Sequence, residues 1–160
     1  MAQNTMADQF EQISLFEEDP SFELENFLPL KIARIGKLVE QQLSEHLMSR
    51  HYIGIPEWLV LNTLTRSEGV SVKDLCSQLD LDTVAVSRAA TKLTDYGYIE
   101  KATNQDDRRL IVLVTTAEGR TLSRQIECSL ANLEKRLSRG ISRHDWIRMG
   151  QLIAAFKQRP

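Results

Sequence analysis

Cysteine is scarce in this chain. Cys76 and Cys128 stand alone, with no Cys-x-x-Cys pair and no zinc-like spacing, so neither a disulfide framework nor a structural metal site is expected. No apolar run approaches the roughly 18 residues of a membrane-spanning helix. The first residues lack a basic segment followed by an apolar one, the layout of a secretory signal. The expectation is a cytoplasmic protein with no membrane partner. The common motifs of catalysis are missing too: there is no Gly-rich phosphate loop, no Gly-x-Ser-x-Gly and no His-Glu-x-x-His. His46, His51 and His144 are scattered singles, read as surface or packing residues. No enzyme, no metal and no cofactor are expected. Finally, residues 1–27 contain no lysine or arginine.

What is present is ordinary in amount and uneven in distribution. The 160 residues, 42% hydrophobic and 26% charged, suffice for one domain with a real core. The net charge of −2 hides an asymmetry. Seven of the 22 acids (Asp8, Glu11, Glu17, Glu18, Asp19, Glu23, Glu25) lie in residues 1–27, which leaves 15 acids against 20 bases, or +5, over residues 28–160. An acidic N-terminal arm, 1–27, therefore precedes a moderately basic body, 28–160. That balance permits a nucleic-acid partner without requiring one. The arm reads as irregular, and Phe10, Ile13, Leu15, Phe16, Phe22, Leu24 and Phe27 make it more than a solvated tail.

Along the body, apolar spacing and punctuation predict mainly helix. A long helix begins near Pro29 with Ile35, Leu38, Val39, Leu43 and Leu47 on one face, and Met48–Ile55 reads as a connection. Pro56 opens a second helix with Trp58, Leu59, Leu61 and Leu64 as core candidates. Ser71 to Asp74 caps a short helix holding Leu75 and Leu79, and Asp82 caps the next, which ends near Gly97. Thr115 and Glu118 suggest a capping box for a long helix with Leu122, Ile126, Leu130, Leu133 and Leu137 inward, stopped by Gly140. Ser142 to Asp145 opens a last helix with Trp146, Met149, Ile153 and Phe156 at helical spacing.

The segment Asp82–Gly119 carries the function. A helix with small and polar residues on one face meets a tight turn, a short strand, a polar loop tipped by arginines, a β-forming run (LIVLV) and a new helix start. That is a winged helix-turn-helix, placed at about 55–116, between long helices at about 28–50 and 117–158. The flanking helices carry more apolar surface than one small winged unit covers, so a second copy is the simplest partner, the alternative being that they pack on their own body. Within the segment, Val86, Ala90 and Leu93 face inward by helical spacing. The opposite face then carries Val84, Ser87, Arg88, Thr91 and Asp95, with Lys92 on its flank, and Thr83 beside the cap is a further candidate contact. Short polar residues let a backbone approach bases, Val84 suits a thymine methyl, and Arg88 suits guanine or a phosphate. The rival reading is a solvated helix face. Arg108 and Arg109 are placed to enter a minor groove, with Asp82 and Asp107 orienting them, the rival being a hairpin loop held by Asp–Arg pairs.

The order of elements and the wing text DDRRLIVLVTTAEG resemble the MarR (multiple antibiotic resistance regulator) family of bacterial transcription factors. Asp107, Arg109, Thr115 and Gly119 match that family's wing, and Val114 departs from it, standing where leucine usually precedes the threonine. SVKDLCSQLDLDTVAVSRAATKLTDYGYIEK fits its paired helices, with Asp82, Ser87, Arg88, Leu93 and Gly97 at usual positions, and IPEWLVLNTL fits the helix before them. The resemblance covers about residues 28–158. It implies a homodimer held by the terminal helices and recognition helices in successive major grooves of a pseudo-palindromic double-stranded DNA. It also implies wings in the flanking minor grooves, and in many members repression relieved by a small-molecule effector or an oxidant. The oxidant-sensing cysteine of the family sits early in the first long helix, and no cysteine precedes Cys76 here. The family's ligand pocket lies between the dimerisation helices and the winged unit, where Arg34, His51, Tyr52 and Trp58 fall by approximate position. A winged helix also serves as a protein-interaction module without specific DNA binding, and that is the alternative function.

Overall fold

Helical periodicity and short punctuating residues build six α-helices and one β-hairpin among the residues the computed structural model describes: 23–67, 69–104 and 110–157. The helices are α1 (Leu28–His51), α2 (Ile55–Thr65), α3 (Val72–Leu79), α4 (Thr83–Asp95), α5 (Ala117–Leu137) and α6 (Arg143–Lys157). Between α4 and α5 run the strands β1 (Ile99–Thr103) and β2 (Ile111–Thr115). The fold is mainly α with a small antiparallel wing, as the sequence pattern predicts. Most of the acidic arm, residues 1–22, lies outside the described residues, and so does the wing loop 105–109.

The chain divides into two compact units, one up to Glu40 and one from Gln41 onward. In the first, a single 3₁₀ turn (Leu24–Asn26) leads into α1, and the Asn26 side-chain amide donates to the Glu23 carboxylate at 2.6 Å. Leu28, Ile32, Ile35, Leu38 and Val39 form an exposed apolar stripe on this part of α1.

The second unit holds the core. α1 runs to His51, past the Met48 where the sequence suggested a connection, and Tyr52 in the left-handed region (φ 58°) ends it. Gly54 then precedes α2, and its N–H donates to the Glu57 carboxylate at 2.7 Å. Leu47, Ile53, Val60, Leu61, Leu75, Val86, Leu93, Ile99 and Ile126 are fully buried. These residues come from five of the helices, the wing and, at Ile53, the α1–α2 connection. Burying several large aliphatic side chains, at about 1.5–3 kcal/mol each, is what holds a winged unit this small together.

The wing is in register with Ile99 opposite Thr115, Lys101 opposite Leu113 and Thr103 opposite Ile111. Val70 adds a one-residue bridge to Leu113, exchanging N–H···O bonds of 3.1 and 2.9 Å, which ties the α2–α3 connection to the sheet. One sequence expectation is corrected at the end of β2. The helix cap is Thr116, not Thr115, because Thr115 is still paired to Ile99 in the ladder. The hydroxyl of Thr116 accepts from the Gly119 N–H at 3.1 Å, so the predicted Thr-x-x-Glu box does not form.

Thr116 does more than cap α5. Its hydroxyl donates to the Gly97 carbonyl at 2.7 Å, and its backbone N–H donates to the Tyr98 carbonyl at 3.1 Å. Gly97 (φ 73°) makes the left-handed turn that ends α4 and sends the chain into β1. Gly119 lies so near the Tyr98 carbonyl oxygen that a Cβ would overlap it. One joint therefore links the end of α4, the base of the wing and the start of α5.

Candidate nucleic-acid interface

Asp82 sets where α4 begins. Its extended backbone (φ −71°, ψ 159°) and its carboxylate, which accepts the Ala85 N–H at 2.7 Å, satisfy one of the helix's open donors. The preceding Asp80 takes a left-handed turn (φ 55°), so α3 and α4 meet as a helix-turn-helix. α4 then buries Val86, Ala89, Ala90 and Leu93 against the core. Ala89 was not expected there, since a small residue at the edge of an apolar face gives little signal in a hydropathy pattern.

The face left outside carries Thr83, Val84, Ser87, Arg88, Thr91 and Asp95. Val84 is 58% exposed, an apolar residue held in water with nothing else on this face to cover it. Arg88 is exposed and makes no ion pair among the described residues. Thr91 donates its hydroxyl to the Ser87 carbonyl at 2.9 Å, which leaves its lone pairs outward. Lys92 sits apart from the group. Its ammonium lies 3.3 Å from the Glu57 carboxylate, a half-buried pair joining α4 to α2. Of the residues read from the sequence, Thr83, Val84, Ser87, Arg88 and Thr91 thus share one open surface, and Lys92 is paired within the chain to Glu57. Glu57 is the residue that sequence reasoning missed, for it lies a whole helix-turn-helix away from Lys92. Arg108, Arg109 and Asp107 lie outside the described residues.

The candidate pocket residues separate by unit. Arg34 is an exposed residue of the first unit. His51, Tyr52 and Trp58 surround the α1–α2 junction of the second. Tyr52 is 72% exposed, while Trp58 packs on the core with its Nε1 buried and without a hydrogen-bond partner. His51 Nε2 lies 2.9 Å from the Ser129 hydroxyl of α5. Burial, then the neighbouring His46 and Arg50, lower the pKa of His51 below 6.5. Among the described residues no group of three or more His, Cys, Asp or Glu is placed to hold a metal ion.

Helix-turn-helix, hairpin wing and outward helix face together define a winged helix-turn-helix protein. Residues 53–110 match the model of the MarR family. The matched segment runs from the end of the α1–α2 connection to the start of β2, and over it the chain is similar to that family of transcriptional regulators. The HTH-type transcriptional regulator TtmR of Methylorubrum extorquens (strain PA1) is 32% identical over 82 residues, 51% of this chain and 42% of its own length. The chain thus spans less than two thirds of the curated relatives it matches. A MarR/EmrR family transcriptional regulator from Acinetobacter sp. ADP1 shares the fold with a TM-score of 0.71 at 22% identity, covering 84% of this chain and 95% of that one. CouR from Rhodococcus jostii RHA1, solved bound to p-coumaroyl-CoA, shares it with a TM-score of 0.74 at 19% identity, covering 88% and 98%.

Proposed function

We propose that this chain is a DNA-binding transcriptional regulator that acts as a homodimer on a pseudo-palindromic operator, repressing until a small-molecule effector releases it. One observation carries the reading: α4 buries four residues on one side and presents Val84, Ser87, Arg88 and Thr91 together on the other. A helix entering a major groove needs that surface. Short side chains let the backbone approach, hydroxyls meet bases or phosphates, Val84 meets a thymine methyl, and the guanidinium spans guanine O6 and N7. In this reading Thr83 contacts the backbone near the helix start. Arg108 and Arg109 take the minor groove, Asp107 orients them, and Asp82 assists from the α4 cap. Lys92 contributes positive potential beyond its pair with Glu57.

The dimer is supported by two apolar surfaces, each exposed in its own unit: Leu28, Ile32, Ile35 and Leu38 on α1, and Ile147, Leu152 and Ile153 on α6. Exposed apolar clusters of this kind mark association sites. The effector is supported by CouR, whose structure holds p-coumaroyl-CoA. Among the described residues no helix is long and apolar enough to cross a membrane.

Selection of bound duplexes from a random DNA pool at near-physiological salt tests the proposal. Enrichment of a pseudo-palindrome with half-sites about one turn apart is the expected result. If no sequence is enriched, the winged unit is instead a protein-interaction module.

A further inference from the structure

A groove of about 760 Å³ opens on the second unit, with no α4 residue among the described residues lining it. Its walls come from the end of α2, both strands of the hairpin and the first turn of α5. The floor is apolar but narrow, made by Leu64, Val112 and Val114. The rim is polar, and among the described residues lining it the charged ones, Arg66 and Arg120, are both cations. Thr65, Ser67, Thr103 and Thr115 line it as well, the Thr65 hydroxyl being donated to the Asn62 carbonyl at 2.8 Å.

Three features distinguish this from a chance depression. The Thr115 hydroxyl is buried with no hydrogen-bond partner among the described residues, a cost in free energy that a bound polar group would relieve. Arg120 donates through Nη1 to the Thr115 carbonyl at 2.7 Å, which holds its guanidinium at the rim with other N–H groups left to donate. Arg66 meets Glu127 only loosely, at 3.7 Å with side chains 70% and 50% exposed. Such a pair is worth little and yields readily to a better anion.

We infer that this groove binds a small polyhydroxylated anion, a sugar bearing a phosphate or a carboxylate. The two guanidiniums take the anionic group, the hydroxyls of Ser67, Thr103 and Thr115 take the sugar hydroxyls, and the aliphatic floor takes its C–H face. The volume suits a ligand of that size, and the polar rim disfavours a flat aromatic one. The inference does not depend on DNA binding, and it gives a place and a chemical class to the effector of the proposed function.

The test is titration of the isotope-labelled full-length chain, without DNA, with glucose 6-phosphate, gluconate and neutral glucose, followed by amide NMR shifts. Saturable shifts at Ser67, Thr103 and Thr115 with one or both anions, and none with glucose, are expected. The two anions separate the phosphate form of the site from the carboxylate form. R66Q, which leaves the Arg120–Thr115 bond intact, should weaken binding about threefold to tenfold, as loss of one charge-assisted hydrogen bond does. R66K should recover part of the loss, and R120Q should weaken binding at least as much as R66Q. No saturable shift with either anion, shifts centred elsewhere, equal binding of glucose, or R66Q and R120Q both binding with unchanged affinity would each overturn the inference. Failure of operator selection would leave all of these readouts intact.

Discussion

Arg88 is the side chain whose surroundings separate base reading from simple attraction to DNA. It is exposed, has no ion-pair partner among the described residues, and rises from a helix whose other face is anchored by Val86, Ala89 and Leu93. Arg88→Ala should cost about 1–3 kcal/mol on a selected duplex and much less on a scrambled one. Equal losses on both in a fluorescence titration would make Arg88 a phosphate contact. Gly119 is decisive in a different way, since an added Cβ would overlap the Tyr98 carbonyl and press on the Thr115 methyl. Both neighbours are held, the first by backbone bonding to Thr116. Gly119→Ala should therefore destabilise the chain by about 1–3 kcal/mol and lower the melting temperature by several degrees. An unchanged thermal transition would show that the joint has more slack than its geometry implies. In the sequence this glycine is visible only as a member of a wing pattern, and the contact that requires it is non-local.

At the scale of elements, the last turns of α1 and the middle of α5 share a histidine pair. His46 is buried with Nε2 lacking a hydrogen-bond partner. Burial foremost, then the positive charges of Arg50 and Arg136, lower its pKa below 6.5, against a hydrogen bond to the Ser129 backbone that raises it. His51 is lowered in the same direction. Both rings stay neutral when folded and take protons more readily when unfolded, so the unfolded state binds more protons just below pH 6.5. The stabilisation is complete above that value and is lost as the pH falls through the lowered folded values. Melting temperature should drop between about pH 7.5 and about pH 5.5, and the H46Q/H51Q variant should show a flatter profile. A variant profile as steep as the parent's would assign the acid sensitivity to other groups. The boundaries of α3, α4 and α6 were legible because Ser71, Asp82 and Ser142 cap them through their own side chains. The start of α5 was misplaced by one residue because strand pairing, which no local pattern shows, claims Thr115.

For the whole molecule, the apolar residues left in water matter most. Ile35 on α1 and Leu152 on α6 are each more than half exposed, in separate units of the chain. If a second copy covers them, a charge at either site is buried unpaired at the interface, which costs several kcal/mol. Ile35→Glu and Leu152→Glu should each shift the chain from dimer to monomer in sedimentation at micromolar concentration, with helix content retained. Dimers persisting in both variants would place the interface elsewhere. Loss of the dimer should also weaken operator binding, because the two half-sites would then be bound independently.

Periodicity and capping residues were enough to determine the helix order, the inward residues Val86, Ala90 and Leu93 of α4 and the outward group from Val84 to Thr91, since which side of a helix faces the core depends on spacing within a few turns. The charge asymmetry between arm and body was likewise a property of composition. Other features needed the tertiary structure: that Lys92 faces Glu57, that Gly119 has no room for a side chain, that His46 lies beside Arg136, and that Arg66 and Arg120 meet around one groove. Each joins residues far apart in the chain. Which side chains meet across such distances is decided by how the helices and the wing pack, and no local pattern carries that information.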